Sequence, residues 1–242
     1  MTLPAFRRPL LAAAALLLTS LTAAAYEGIV LPYKEVVVSS PVQSTIVEVL
    51  HKEGDQVTAG ATLAQLYNRI EELDMQRTAA ALEKREFDFE GSKNLYAEQI
   101  ISEDEAMKGR IEMELARLQA EQAKEIFRQR TITAPINGMV VEQMREIGEA
   151  VTAAEPMFRL VDIDRVYVQI YVQVDEAYTL KLGDTLEVRC RAADRDAVYQ
   201  GEVEFIDPRV DAASGLVRVK IVVDNPGHQI KPGLRAEVIP AD

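Results

Sequence analysis

Two stretches decide how this chain folds: Val38–Leu66, VSSPVQSTIVEVLHKEGDQVTAGATLAQL, and Ile132–Leu160, ITAPINGMVVEQMREIGEAVTAAEPMFRL. They align at one constant offset without a gap. Pro41, Val47, Glu48, Gly54, Val57, Thr58, Ala59 and Leu66 recur as Pro135, Val141, Glu142, Gly148, Val151, Thr152, Ala153 and Leu160. Most other positions exchange one apolar side chain for another, as in Val42/Ile136 and Ile46/Val140. Each stretch has the pattern of a short β unit: a Pro opens it, an alternating run follows, Gly54 or Gly148 turns the chain, and a Val and a Leu close it. A unit this small cannot bury its own apolar face, so the two copies are expected to close on each other as one sandwich. The residues between them, 67–131, are then an insertion hanging out of a single domain.

That insertion is helical in composition. From about Asn68 to Gln99, and again from Glu103 to Arg130, it is rich in Glu, Lys, Arg, Gln, Ala and Leu and contains no Pro. In the second run Met107, Ile111, Leu115, Leu118, Gln122 and Ile126 keep three-or-four spacing, which predicts a narrow stripe of coiled-coil type. In the first run Ile70, Leu73, Ala80 and Phe87 interleave with Arg77 and Lys84. Ser102 followed by Glu105 is a capping-box signature, which starts the second helix there. Antiparallel arms turning near residues 100 and 101 have partners that sum to about 200, setting Gly91 opposite Gly109 and Leu66 opposite Ile132 or Thr133. An arm of about 32 residues projects roughly 48 Å. So thin a stripe stabilises an isolated pair of helices poorly, and lateral contact with neighbouring copies is expected.

The flanking segments read as β structure. Tyr26–Val37 alternates weakly and contains Pro32, the pattern of an edge strand leading into the first copy. After Leu160, Val166–Val172 alternates strictly, and Gly183, Gly201, Gly215 and Gly233 punctuate later strands, as in a small antiparallel β-barrel. The fold class expected is mainly β with an α-helical hairpin insertion. Its divisions are a strand at 26–37, a split β sandwich at 38–66 and 132–160, an antiparallel coiled-coil hairpin at 67–131, and the β-barrel at 161–242.

Half-motifs of the form P-x-x-[GS]-x-h-x-x-h-x-x-x-x-G-x-x-V-x-x-[GA]-x-x-h-x-x-L, split by a helical insertion, resemble the lipoyl domain of periplasmic adaptor (membrane fusion) proteins of tripartite efflux pumps, the HlyD/RND-adaptor type. The resemblance continues through V-D-E-A at Val174–Ala177, G-x-V-x-x-I-D-P at Gly201–Pro208, V-D-x-x-S-G at Val210–Gly215 and I-K-P-G-L at Ile230–Leu234. It departs at Ser44, where the family usually has Gly, and at Ser214, where it has Thr. Members of the family continue into a membrane-proximal domain; this sequence ends at Asp242 and reads as a short form without one.

Charge and composition exclude several functions. The N-terminus has Arg7 and Arg8, then the apolar run Leu10–Leu18, then small residues to Ala25, the pattern of a secretory signal cleaved after Ala25. Its removal takes two positive charges and changes the net charge from −12 to −14. That balance argues against nucleic acid and anionic lipid as partners. The one cysteine, Cys190, is far from the cleavage junction, so the product is not expected to be a lipoprotein or to hold an internal disulfide. No cofactor is expected, since none of Lys84, Lys93, Lys108 and Lys124 sits in the β-hairpin that presents a lipoyl-lysine. His51 and His228 lack second ligands at zinc spacing, and Met113, Met139 and Met144 are scattered. No nucleophile–base pair or phosphate loop is present, and the chain does not read as an enzyme.

What remains is an interaction protein. The resemblance implies a periplasmic adaptor bridging an inner-membrane transporter, RND type foremost, and an outer-membrane channel, as a homo-oligomer of hexameric type. In the family, channel docking uses an Arg, a Leu four residues later and a Ser seven after that. Leu95 and Ser102 match, with Ile100 and Ile101 beside them, whereas Gly91 stands at the Arg position. Ser102 as a plain helix cap and Leu95 as hairpin core are the structural alternatives. For the transporter side, the resemblance points to Asp175, Glu176, Lys231, Pro232 and Gly233 on the barrel. An exported scaffold reusing the fold, or an adaptor of an ATP-driven exporter, are the competing functions.

Overall fold

A computed structural model describes residues 25–192 and 195–239. The expected leader lies, apart from Ala25, outside the described residues. Along the chain run strands β1 (Tyr26–Ser39), β2 (Ser44–Val49), β3 (Gln56–Val57) and β4 (Thr62–Leu66), then helices α1 (Arg69–Ala97) and α2 (Glu103–Arg128). There follow β5 (Thr131–Thr133), β6 (Gly138–Gln143), β7 (Ala150–Val151), β8 (Pro156–Gln173), the short helix α3 (Val174–Ala177), β9 (Thr185–Ala192), β10 (Arg195–Val210), β11 (Leu216–Asp224) and β12 (Arg235–Ile239).

The internal repeat is a structural repeat. Adding 94 to each residue number turns β2 at 44–49 into β6 at 138–143, and β3 at 56–57 into β7 at 150–151. Pairings follow the same shift: β2 bonds β4 and β7, while β6 bonds β8 and β3. So do the turns. Gly54 N donates to Val140 O and Gly148 N to Ile46 O, both at 2.8 Å. The result is two sheets, β3-β6-β8-β1 and β5-β4-β2-β7, each containing strands of both copies. Their shared core consists of repeat-equivalent pairs: Val38/Ile132, Ile46/Val140, Val57/Val151, Leu63/Met157, Ala64/Phe158 and Leu66/Leu160, all buried. Neither copy has a core without the other.

The barrel is closed. Its strand order is β1-β12-β9-β10-β11-β8, and β8 pairs back onto β1, with every pairing antiparallel. Alternate residues of β8, Val166, Val168, Ile170 and Val172, point into its core. Closure leaves little room inside: a Cβ on Gly201 would meet Ile221 Cγ2 at 2.5 Å.

Tyr26–Val37 was expected as an edge strand, and the structure corrects this. Gly28 pairs with Ala236 of β12 on one side and Ile170 of β8 on the other, so the start of β1 closes the barrel. The barrel therefore draws a strand from ahead of the first copy. Only past Val30 is one edge free. Pro32, which has no N–H to give, stands there beside a register shift between Pro32 and Lys34. β1 and β8 both run unbroken from barrel into sandwich. At the junction the Arg165 guanidinium stacks 3.9 Å above the Tyr33 ring, and Tyr33 packs on Tyr167 with centroids 5.2 Å apart.

The exchange of Gly138 for Ser44 between copies has a physical cause. A Cβ at Gly138 would lie 2.3 Å from the carbonyl oxygen of Val161. The repeat equivalent of Val161 is Tyr67, where the chain leaves the sheet for α1. Space opens there, and Ser44 Oγ donates to Tyr67 O at 3.2 Å. Gly138→Ala should therefore cost about 1–3 kcal/mol or more by overpacking, while Ser44→Ala loses one weak bond at less than about 1 kcal/mol. Thermal melts of the two variants check this; a wild-type melt for Gly138→Ala would contradict the close approach.

Candidate functional site

The hairpin carries many exposed apolar side chains, among them Ile70, Leu73, Phe87, Leu95, Ile100 and Leu115, and its geometry begins with how its helices meet. Arg85 Nη1 donates to Glu112 Oε2 at 2.8 Å, and Gly109 faces Ser92 and Phe89. These pairs keep the expected antiparallel register, with Ser92 rather than Gly91 opposite Gly109. At the base the expectation is corrected: Ile132 pairs with Ala64 and Thr133 with Thr62, Gln65 pairs with Thr131, and Leu66 N donates to Arg130 O.

The side chains that close the hairpin are not those of the expected stripe. On α2 the covered apolar residues are Ala106, Gly109, Met113, Ala116, Ala120, Ala123 and Phe127, at alternating spacings of three and four. On α1 they include Met75, Thr78, Leu82, Phe89 and Ser92. Phe89 of α1 lies against Gly109 of α2, and Met75 and Leu82 line one cleft with Ala120. Met107, Ile111, Leu115, Leu118 and Ile126 are instead 41–55 % exposed, on the far side of α2. Ile70, Leu73 and Phe87 are likewise outward on α1, Phe87 at 80 %. The physical reason is that two heptad patterns coexist on each helix, and bulk does not tell which one faces inward. The alanine run was the readable signal for the closing seam. The outer stripes are the surface that sequence reasoning assigned to the wrong partner.

At the tip, α1 ends in a Schellman arrangement: Gln99 adopts φ 61°, its N–H donates to Tyr96 O, and Ile100 N donates to Leu95 O at 2.9 Å. One backbone bond thus joins the Leu95 and Ile100 residues, both exposed. Ile101 is partly covered. Ser102 caps α2, its Oγ accepting from Glu105 N at 3.2 Å. Gly91 faces open space, with nothing within 4 Å of a built Cβ.

The barrel residues split. V-D-E-A forms a single helical turn, α3, in which Glu176 Oε2 accepts from Gln173 N at 3.1 Å and stands beside Tyr26. Burial, then Glu176, raises the Tyr26 pKa above its usual value. Lys231, Pro232 and Gly233 form a turn at the other end of that strand segment, with Gly233 N donating to Val30 O. Asp175 and Glu176 are therefore not brought together with the Lys231–Gly233 turn. On β10, Asp207 is a largely buried carboxylate gripped by Arg209 Nε and Nη2 at 3.1 and 3.2 Å and by Arg218 Nη2 at 2.9 Å. Those bonds, Arg209 first, hold its pKa at about 2. It lies in the I-D-P motif but was not expected to matter.

Among the described residues no group of three or more His, Cys, Asp and Glu side chains could hold a metal ion, and no helix is long and apolar enough to cross a membrane. Residues 34–162 match the family of CzcB-like barrel-sandwich hybrid domains, and residues 165–241 the CusB-like beta-barrel domain. The chain belongs to the periplasmic adaptor, or membrane fusion protein, family. It is 27 % identical over 211 residues to the multidrug resistance protein MexA of Pseudomonas aeruginosa, covering 80 % of this chain and 54 % of MexA. It is 21 % identical over 198 residues to the cobalt-zinc-cadmium resistance protein CzcB of Cupriavidus metallidurans, covering 75 % of this chain and 37 % of CzcB. This adaptor chain thus spans about half the length, or less, of these relatives. Its fold resembles a MacA–MexA chimera carrying the P. aeruginosa MexA α-hairpin domain, with a TM-score of 0.77 at 22 % identity over 89 % of this chain and 79 % of the chimera. It also resembles the membrane fusion protein Spr0693 of Streptococcus pneumoniae, with a TM-score of 0.70 at 17 % identity over 88 % and 99 % of the two chains.

The seam assignment is directly testable in this adaptor. Ala116→Leu should overpack the hairpin and cost about 1–3 kcal/mol, while Leu118→Ser should change stability by less than about 0.5 kcal/mol. Helix-specific circular dichroism during thermal melting measures both. A larger loss for Leu118→Ser would restore the outer stripe as the seam.

Proposed function

We propose that this protein is the periplasmic adaptor subunit of a tripartite efflux transporter, joining an inner-membrane transporter of RND type to an outer-membrane channel. The observation that carries the reading is the hairpin: a long two-helix arm with apolar stripes on both outer faces and an apolar tip. Such faces in an exported, acidic protein call for neighbours. Copies of the chain set side by side cover the stripes, in a ring of six by analogy with the family. Leu95, Ile100, Ile101 and Ser102 at the tip meet the channel. The barrel meets the transporter, with Asp175 and Glu176 at one end and Lys231, Pro232 and Gly233 at the other.

Burying a charge at the tip interface costs several kcal/mol unless it is re-solvated, while one exposed position changes folding by less than about 0.5 kcal/mol. Leu95→Asp should therefore abolish efflux-dependent resistance in cells that lack their own copy, with melting of the purified protein nearly unchanged. Gly91→Arg removes a helix-interior glycine, gains roughly 1 kcal/mol, and supplies a donor at a position with open space. It should hold or raise resistance. Wild-type resistance for Leu95→Asp, with both proteins folded and expressed, would contradict tip docking and favour the exported-scaffold reading.

A further inference from the structure

The hairpin meets the sandwich at two chain crossings, Leu66–Arg69 and Gln129–Thr131, and one side chain ties them together. Arg130 is mostly buried, its side chain only 17 % exposed, and so is Glu71 at 17 %. Arg130 Nη2 donates to Glu71 Oε1 at 2.6 Å, and Nη1 to the Gln43 carbonyl at 3.2 Å. The Arg130 carbonyl accepts from Leu66 N at 2.8 Å and Gln65 Nε2 at 3.0 Å. Gln65 Oε1 in turn accepts from the Thr131 hydroxyl at 3.0 Å. One residue thus holds the first turn of α1, the lead-in to β2 and the end of β4.

Most other ion pairs of the hairpin are different in kind. Arg69–Glu72, Arg77–Asp74, Lys93–Glu90 and Arg128–Glu125 are i,i+3 neighbours on one helix, with solvent around them, and Arg85–Glu112, which joins the two helices, is about half exposed and ties neither to the sandwich. Pairs of that sort contribute little and fix nothing beyond their own turn. A buried pair is a weak source of net stability, because desolvation offsets the attraction, but its forked geometry is directional.

We propose that Arg130, with Glu71, is a positioning residue that sets the angle at which the hairpin leaves the sandwich, and therefore where the tip lies. The proposal rests on the reading of the tip as the docking surface, since only then does its location matter. Leverage makes the base decisive. An arm of 29 residues is roughly 44 Å long. A tilt of about 7° at its base moves the tip by about 5 Å, enough to break side-chain contacts made within about 4.5 Å.

The test uses the isolated protein, so its outcome is separate from that of channel docking in cells. Residual dipolar couplings of the backbone amides, measured in one alignment medium, read the orientation of α1 and α2 against β2, β4 and β6. Replacing both partners, Arg130→Met with Glu71→Met, leaves no lone buried charge. The helices should turn by about 7° or more against the sandwich, or their couplings shrink through averaging, with a cooperative melt retained. The wild-type orientation and couplings in that variant overturn the proposal. Should the double variant not fold, Arg130→Lys replaces it: the charge toward Glu71 remains, but the second prong to Gln43 is lost. The same change then supports the positioning role, and an unchanged orientation overturns it.

Discussion

The structure depends on mutual burial between two copies of a β unit that has no core of its own. Ile46 needs Val140, Leu63 needs Met157 and Leu66 needs Leu160, because each pair fills one shared interior. Everything else is attached to that requirement. The chain must leave the first copy and return for the second, and the hairpin occupies the interval. Because Gln65 and Thr131 are direct strand partners, the exit and return points lie side by side. Two antiparallel helices are the simplest element that begins and ends in one place.

The same economy explains why the three parts are mechanically joined. β1 and β8 each serve barrel and sandwich, and the Arg165–Tyr33–Tyr167 stack sits where they pass from one to the other. At the opposite side of the sandwich the hairpin is held by the buried Arg130–Glu71 pair. Both arrangements are direct attachments. In each, continuous strands or directional charge contacts hold one part to the next, where a loose linker would let it swing.

Much of this was legible in the sequence because repetition and period are strong signals. The repeat predicted the sandwich and its turns at Gly54 and Gly148, and the Ser102 cap predicted the start of α2. What was misread had weaker or competing signals. Pro32 suggested an edge, yet the residues before it are paired on both sides, since barrel closure is a property of distant strands. Each helix carried two heptad patterns, and the bulkier one drew attention although alanine and glycine close the seam. Gln99 gave no sign of a left-handed cap, because glycine usually stands there. Arg130 acts through a partner remote in sequence, Glu71, and Asp207 partly so, through Arg218 as well as its neighbour Arg209.

One β domain, completed by both copies, carries the hairpin as an insertion. Excising 68–130 and joining Tyr67 to Thr131 through a short turn converts β4 and β5 into an ordinary β-hairpin. It removes Arg130 and Glu71 together, and shortening a closed loop changes its closure cost only slowly. The direct measurement is thermal denaturation of this variant followed by far-ultraviolet circular dichroism. A β spectrum without the helical component and a single cooperative melt are expected. A non-cooperative melt, or an unfolded spectrum at low temperature, would contradict that architecture.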